Sequence, residues 1–282
     1  MLWNAANGHV TIGSTAMNYV SFGCGEKVLV VLPGLSDGLT TVKGKALLLA
    51  MPYRRYFERY TIYIFSRKNE MPQGYSIFDM ADDQAKALKT LGLKKVSILG
   101  VSQGGMIAQY LAINHADLVE KLVIAVSAPR ANATIQECIG QWIDYANQGN
   151  HKRLMIDTAE KSYSEKYLKK YRKLYPLLGK LGKPANYSRF LINANAALCF
   201  DAVNDLKKIV CPTLIVGGEA DKIVGIDASY ALKSLILNSE LYVYDGLGHA
   251  AYEEADDFYD RVFKFLDAEQ CLPFQTEYGK II

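Results

Sequence analysis

The chain has little of what a membrane, secreted or nucleic-acid-binding protein carries. No apolar run approaches the roughly 18 residues of a membrane helix, and Met1 to Ala16 has neither the basic flank nor the apolar stretch of a signal peptide. The 32 basic and 29 acidic residues leave a net charge of +3, too near balance to mark a nucleic-acid or anionic-membrane partner. The five cysteines (Cys24, Cys138, Cys199, Cys211 and Cys271) are odd in number and lack CxxC spacing. That argues against a disulfide frame or zinc site, and they are expected as small buried hydrophobes in a reducing compartment. Histidines number only four, and no metal or organic cofactor is indicated. A cytoplasmic protein with a small-molecule partner is the expectation, its oligomeric state left open.

What is present is core-forming sequence. Half of the 282 residues are hydrophobic, ample for one sizeable core with an inserted subdomain. His9 to Phe22 alternates loosely, as two short edge strands would, with a turn near Gly13-Ser14. Lys27 to Leu32 (KVLVVL), Tyr60 to Phe65, Lys95 to Val101 and Lys121 to Val126 are near-continuous β-branched or apolar runs, the pattern of strands buried on both faces of a parallel sheet. Between them lie a short helix over Ala46 to Tyr56, an amphipathic one over Ser76 to Leu91 capped by Gly92, and another from Met106 to about His115. From Arg130 to Lys207 strand-like runs give way to helical ones: Ile135 to Gln148, Leu154 to Lys161, Glu165 to Tyr175 and Asn186 to Leu198. Strands resume at Thr213 to Val216 and Glu240 to Tyr244, and a helix over Asp256 to Leu266 closes the order. The pattern predicts an α/β fold, a mostly parallel twisted sheet flanked by helices. Its core comprises residues 1–129 and 208–282, with an all-helical segment, 130–207, inserted.

Gly100-Val101-Ser102-Gln103-Gly104 sits between a strand and a helix. A serine there suits a nucleophile held on a sharp turn, and the flanking glycines avoid side-chain clashes with the neighbouring strand and helix; a glycine-rich loop with an incidental serine would read the same way. A serine nucleophile needs a base, and the base an orienting acid. His9 lies in the edge strands, His115 follows the helix after Ser102, and His151 falls in the helical insertion. His249 follows the last strand, so it and Ser102 both lie at carboxyl strand ends, where α/β sheets bind ligands. For the acid, Thr213 to Val216 is followed by Gly217-Gly218-Glu219-Ala220-Asp221. Asp221 lies deeper in the loop with more reach, Glu219 is the fallback, and a helix-capping role for Asp221 is the competing reading. An oxyanion needs two backbone N–H donors. One is Gln103; the other is Gly34 or Leu35, since Pro33 has no N–H.

With these residues assembled, the chain over roughly 20–268 resembles the α/β-hydrolase superfamily. The order Ser102, Asp221, His249 is that superfamily's order. Gly100-Val101-Ser102-Gln103-Gly104-Gly105-Met106-Ile107-Ala108 is similar to its central block, and Ile209-Val210-Cys211-Pro212-Thr213-Leu214-Ile215-Val216-Gly217 to the strand before the acid. The insertion resembles its cap domain. The resemblance implies Leu35 as the second oxyanion donor. It departs in two places: Pro33-Gly34 stands where the family usually has His-Gly, and only Arg67 remains of its Arg-Gly-rich loop in Ser66-Arg67-Lys68-Asn69-Glu70.

The implied activity is hydrolysis of a carboxylic ester or related acyl bond through an acyl-enzyme on Ser102. Alternatives are the same groups acting on a lactone, thioester, amide or carbon–carbon bond, acyl transfer, or a ligand-binding member with little turnover. In the insertion, Tyr163, Tyr167, Tyr171, Leu174 and Leu178 recur at helical spacing beside Lys166, Lys169, Lys170 and Lys173. The preferred reading is a packed helix with a solvated lysine face; a pocket wall with a basic rim is the other. Trp142, Tyr145 and Phe190 are candidate pocket residues.

Overall fold

Eight strands form one sheet: β1 (Ala6–Ile12), β2 (Thr15–Gly23), β3 (Lys27–Leu32), β4 (Tyr60–Lys68), β5 (Val96–Val101), β6 (Val119–Ala125), β7 (Thr213–Gly218) and β8 (Ser239–Tyr244). The computed structural model describes residues 2–180 and 182–269. The sheet order is β1-β2-β4-β3-β5-β6-β7-β8. β1 with β2 and β2 with β4 pair antiparallel; the pairings from β4 to β8 are parallel. The expectation of two edge strands at the start is corrected for β2, which is paired on both sides.

The helices are α1 (Ala46–Ala50), α2 (Ile77–Thr90), α3 (Gln103–Asn114), α4 (Ala133–Asn147), α5 (His151–Ser162), α6 (Glu165–Tyr171), α7 (Tyr175–Leu178), α8 (Ser188–Leu198), α9 (Ile226–Leu235), α10 (Ala251–Glu254) and α11 (Phe258–Asp267). Alternate residues of β3 divide between the two faces: Val30 and Leu32 pack in the core that holds α2 and α3, Leu29 and Val31 in the one that holds α1 and α11. With helices on both sides Leu29 to Leu32 are all buried, which is why the run reads as continuously apolar. The chain leaves β3 through α1 to β4 on one side and returns through α2 to β5 on the other. This reversal opens a crevice at the carboxyl ends of β3 and β5, the place where α/β sheets hold ligands.

α2 starts sharply because Ser76 and Asp79 cap it reciprocally, Asp79 N donating to Ser76 Oγ at 3.1 Å and Ser76 N to Asp79 Oδ2 at 2.9 Å. Between β6 and β7 lie α4 to α8. The expected helix from Glu165 to Tyr175 is broken: α6 ends at Tyr171, a 3₁₀ turn covers Arg172–Leu174, and α7 starts afresh at Tyr175 with Pro176 in its first turn. Proline lacks the N–H a continuous helix would use. Leu174 is accordingly exposed, not packed. Tyr163 stacks on Tyr167, which packs at a tilt against Tyr171, and the four lysines beside them are exposed. Trp142 is buried, its Nε1 donating to Asp157 Oδ2 at 2.8 Å to join α4 to α5; Phe190 is buried in the core. α9, given no bounds in the sequence reading, fills the β7–β8 crossover.

Two cysteine expectations are corrected. Cys138 is buried, but Cys24 and Cys199 are exposed and Cys211 lies between. Cys24 sits in the tight turn after β2 and Cys199 ends α8; both are element ends facing solvent. The four described cysteines are free thiols, and Cys271 lies outside the described residues. Among the described residues, no helix is long and apolar enough to cross a membrane.

Candidate active site

Ser102 is the hinge between β5 and α3, with φ 54° and ψ −120°. A non-glycine residue at positive φ is strained, by about 1–3 kcal/mol, and persists only when its surroundings over-determine it. Here Ser102 N donates to Ala125 O at 2.9 Å, and Ser102 O accepts from Gly105 N and from Ser127 Oγ, both at 2.8 Å. The flanking glycines are required by space. A Cβ at Gly104 would lie 1.9 Å from Leu32 O, and one at Gly100 2.6 Å from Gly104 O. The sharp turn leaves the side chain of Ser102 partly exposed at the mouth of the crevice.

His249 comes from the loop after β8. That loop lies close over the end of β7: a Cβ at Gly218 would sit 2.3 Å from Gly248 O. Ala220 N donates to Leu247 O at 2.9 Å and Ala250 N to Ser162 O at 2.8 Å, so the loop is held by both β7 and α5. His249 Nε2 lies 2.9 Å from Ser102 Oγ, and its Nδ1 lies 2.7 Å from Asp221 Oδ2. In the arrangement these distances favour, the serine hydroxyl donates to Nε2 and Nδ1–H donates to the carboxylate. His249 is 7 % and Asp221 8 % exposed, so water competes little for either group.

The other oxygen of Asp221, Oδ1, accepts from Ile223 N at 2.8 Å and Val224 N at 3.0 Å. The helix-capping reading of Asp221 is corrected: α9 starts at Ile226 with Gly225 as its N-cap, and Oδ1 instead closes a turn within its own loop while Oδ2 faces His249. Burial alone would raise the Asp221 carboxyl; the charge and hydrogen bond of His249 and the N–H groups of Val224 and Ile223 outweigh it and hold the group below its ordinary range. Glu219 is exposed and accepts from Gly246 N at 2.9 Å; it does not reach His249. His9 is exposed on β1, and His115 Nε2 lies 2.8 Å from Asp82 Oδ1. His151 is buried in α5.

The two expected oxyanion donors both stand at the start of a helical turn. Gln103 begins α3 and Leu35 begins a 3₁₀ turn after β3. Gly34 approaches closely, a Cβ there standing 3.3 Å from the Ser102 Cβ. Among the described residues neither N–H donates to a protein acceptor. Both helical turns begin there, and first-turn N–H groups have no intrahelical partner.

Sequence reasoning missed the support beneath these donors. Arg67 is 2 % exposed and Asp37 3 %. Arg67 Nη1 donates to Gly34 O at 3.2 Å and Nη2 to Gln103 Oε1 at 3.0 Å. Asp37 Oδ2 accepts from Arg67 N at 3.0 Å and from Arg189 Nη2 at 2.7 Å, and Arg189 Nη1 also donates to Asp37 O. Gln103 Nε2 donates to Asn193 O at 2.6 Å. The Gln103 side chain thus bonds the start of α3 to both β4 and α8. Burial pulls the Arg67 guanidinium down to about 10, against the pull of Asp37, so it stays charged at neutral pH. The signal in sequence was Arg67 itself, left over from the Arg-Gly-rich loop of the resembled family with no role attached to it.

A serine on a strained turn at a carboxyl strand edge, with a histidine and a buried carboxylate in line, sits on the scaffold of an α/β enzyme. The chain belongs to the α/β hydrolase fold family, whose model matches residues 63–256. A Caulobacter segnis protein, provisionally named carbamate hydrolase RutD, is 26% identical over 262 residues, 83% of this chain and 90% of its own length. The 2-hydroxy-6-oxononadienedioate/2-hydroxy-6-oxononatrienedioate hydrolase 2 of Pseudomonas putida is 31% identical over 198 residues, 66% of this chain and 69% of its own. The crystal structure of MGS-M2, an α/β hydrolase enzyme from a Medee basin deep-sea metagenome library, superimposes with a TM-score of 0.82 at 21% identity, over 95% of this chain and all of that one (100%).

Proposed function

We propose that this chain hydrolyses a carboxylic ester or a closely related acyl bond of a small molecule through an acyl-enzyme on Ser102. The observation that carries the reading is the unbroken relay from Asp221 Oδ2 through His249 to Ser102 Oγ, at 2.7 and 2.9 Å. His249 Nε2 takes the hydroxyl proton as Ser102 Oγ attacks the carbonyl carbon. Asp221 holds the tautomer and balances the imidazolium, which stays buried beside it. The carbonyl oxygen becomes an anion between the Leu35 and Gln103 N–H groups; one such donor is worth on the order of 10²–10³ in rate. The proton passes to the leaving group as the carbon–heteroatom bond breaks. Water, deprotonated by His249, then releases the acid. Residues 130–207 act as a cap over this site, between core segments 1–129 and 208–282, and supply its specificity. The relative named for carbamate hydrolysis makes a nitrogen-bearing carbonyl the next substrate class to try, since the relay needs only a carbonyl and a leaving group.

A fluorophosphonate probe should label Ser102, and Ser102→Ala should abolish both labelling and turnover across a panel of short-chain nitrophenyl esters and aryl carbamates. An unlabelled Ser102, with turnover unchanged in Ser102→Ala, would overturn the reading. Labelling without turnover of any member would shift it toward another bond or a binding role.

A further inference from the structure

Arg67 takes no part in the proton relay, yet it is buried where both oxyanion donors converge. Its fork is divided between them: Nη1 holds the Gly34 carbonyl at 3.2 Å and Nη2 holds the Gln103 side chain at 3.0 Å. The Gly34 carbonyl and the Leu35 N–H belong to one trans peptide. Its planarity makes them point in opposite directions. Holding the carbonyl from the side of β4 therefore aims the Leu35 N–H the other way, and donation from a charged group further polarises that peptide.

We propose that Arg67 is a positioning residue of the oxyanion hole: by clamping the Gly34–Leu35 peptide and Gln103 with one rigid fork, it sets the direction and the separation of the two N–H donors. The proposal rests on the acyl-transfer reading of Ser102. Lysine would not do the same work, because an ammonium on a flexible stem does not reach two acceptors in fixed planar geometry. The clamp also extends outward. Asp37 Oδ2 receives Arg67 N and Arg189 Nη2, and Gln103 Nε2 binds Asn193 O. Arg189 and Asn193 both lie on α8, so the separation of the donors is tied to the seating of that inserted helix. A packing role alone would not require both terminal nitrogens to fall on the two donor segments.

Arg67→Lys keeps the charge against Asp37 and Arg189 and removes the fork. With folded enzyme confirmed by thermal melting and Ser102 counted by fluorophosphonate, kcat per titrated serine should fall by about 10²-fold. KM should be little changed. Affinity for a boronic acid, which places an oxygen in the hole, should fall by the same factor, while the pH profile of kcat/KM keeps its shape. A crystal structure of Arg67→Lys should show the Gly34–Leu35 peptide turned or in more than one orientation. A lowered melting temperature with unchanged kcat per titrated serine, unchanged boronate affinity and an unmoved peptide would overturn the proposal. If Arg67→Lys does not fold, Gln103→Met severs one arm only and should lower kcat about tenfold; unchanged kcat there overturns it equally. Failure of the acyl reading shows separately, in the unsubstituted chain, as an unlabelled Ser102, and the peptide orientation still decides the role of Arg67.

Discussion

Asp221 offers its two carboxylate oxygens to different partners: Oδ2 lies 2.7 Å from His249 Nδ1, and Oδ1 takes the N–H groups of Ile223 and Val224. The carboxylate is thereby pinned by its own loop before it meets the histidine, which removes a rotational degree of freedom from the relay. Asp221→Asn keeps the shape but offers an amide where the imidazole N–H needs an acceptor. The expected loss in kcat is of order 10⁴, measured on whichever ester the chain turns over fastest. Glu219→Gln should change kcat by less than about twofold, because Glu219 is exposed and its carboxylate accepts from Gly246 N, away from His249. A reversed ranking would move the acid to Glu219.

The same carboxylate predicts a pH dependence. The Asp221 group is held below its ordinary value of 3.8 in the folded chain, although burial works the other way. A depressed carboxyl binds its proton less readily folded than unfolded, so its contribution to stability is present above pH about 4 and lost as pH falls through the folded value. The stability difference between the unsubstituted chain and Asp221→Asn, followed by urea unfolding, should therefore be largest near neutrality and shrink below about pH 4. A difference that grows on acidification would mean that burial outweighs the histidine.

Much of this architecture was legible because it is local. KVLVVL at residues 27–32 is a strand by its continuous apolar run, and β3 occupies those residues. The glycines around Ser102 announce a tight passage because only backbone without side chains fits where Leu32 O comes within 1.9 Å of a Cβ. Four histidines were few enough for position alone to single out His249. What stayed hidden depends on long-range meeting. Arg67, Asp37 and Arg189 are separated by up to 152 residues in the chain, and nothing in their own surroundings announces that they meet. The break between α6 and α7 was missed because the tyrosine and leucine spacing continues across it while Pro176 stops the backbone hydrogen bonding. The exposed Cys24 and Cys199 were misjudged from residue type, since burial of a cysteine is set by where its element ends.

The packing at Gly104 makes a sharp stability contrast with a second glycine. A methyl at Gly104 would stand 1.9 Å from Leu32 O and 2.7 Å from Pro33 O, both backbone atoms that cannot swing away. Gly104→Ala should cost at least about 3 kcal/mol or prevent folding. Gly140 lies inside α4 with nothing within 4 Å of its would-be Cβ. Gly140→Ala should instead raise stability by about 0.5–1 kcal/mol, since alanine loses less backbone freedom in a helix. Chemical unfolding of the two variants side by side checks both signs.

Asn132 is where the inserted helices meet the loop of Asp221. Its Oδ1 caps α4 by accepting from Ile135 N at 2.9 Å, and its Nδ2 donates to Val224 O at 2.7 Å. Val224 is also the residue whose N–H holds Asp221 Oδ1 at 3.0 Å. Removing the side chain strips a helix cap and an anchor of the acid loop together. Asn132→Ala should cost about 1–2 kcal/mol of stability. It should also lower kcat, because Asp221 is then held by a looser loop. Asn132→Ser restores the cap but is too short to hold Val224. It should therefore regain much of the stability while leaving kcat low, a separation read by comparing unfolding free energies with kcat per titrated Ser102. If both quantities recover together in Asn132→Ser, the Val224 bond is dispensable, and the acid loop is held by Asp221 and its own N–H partners alone.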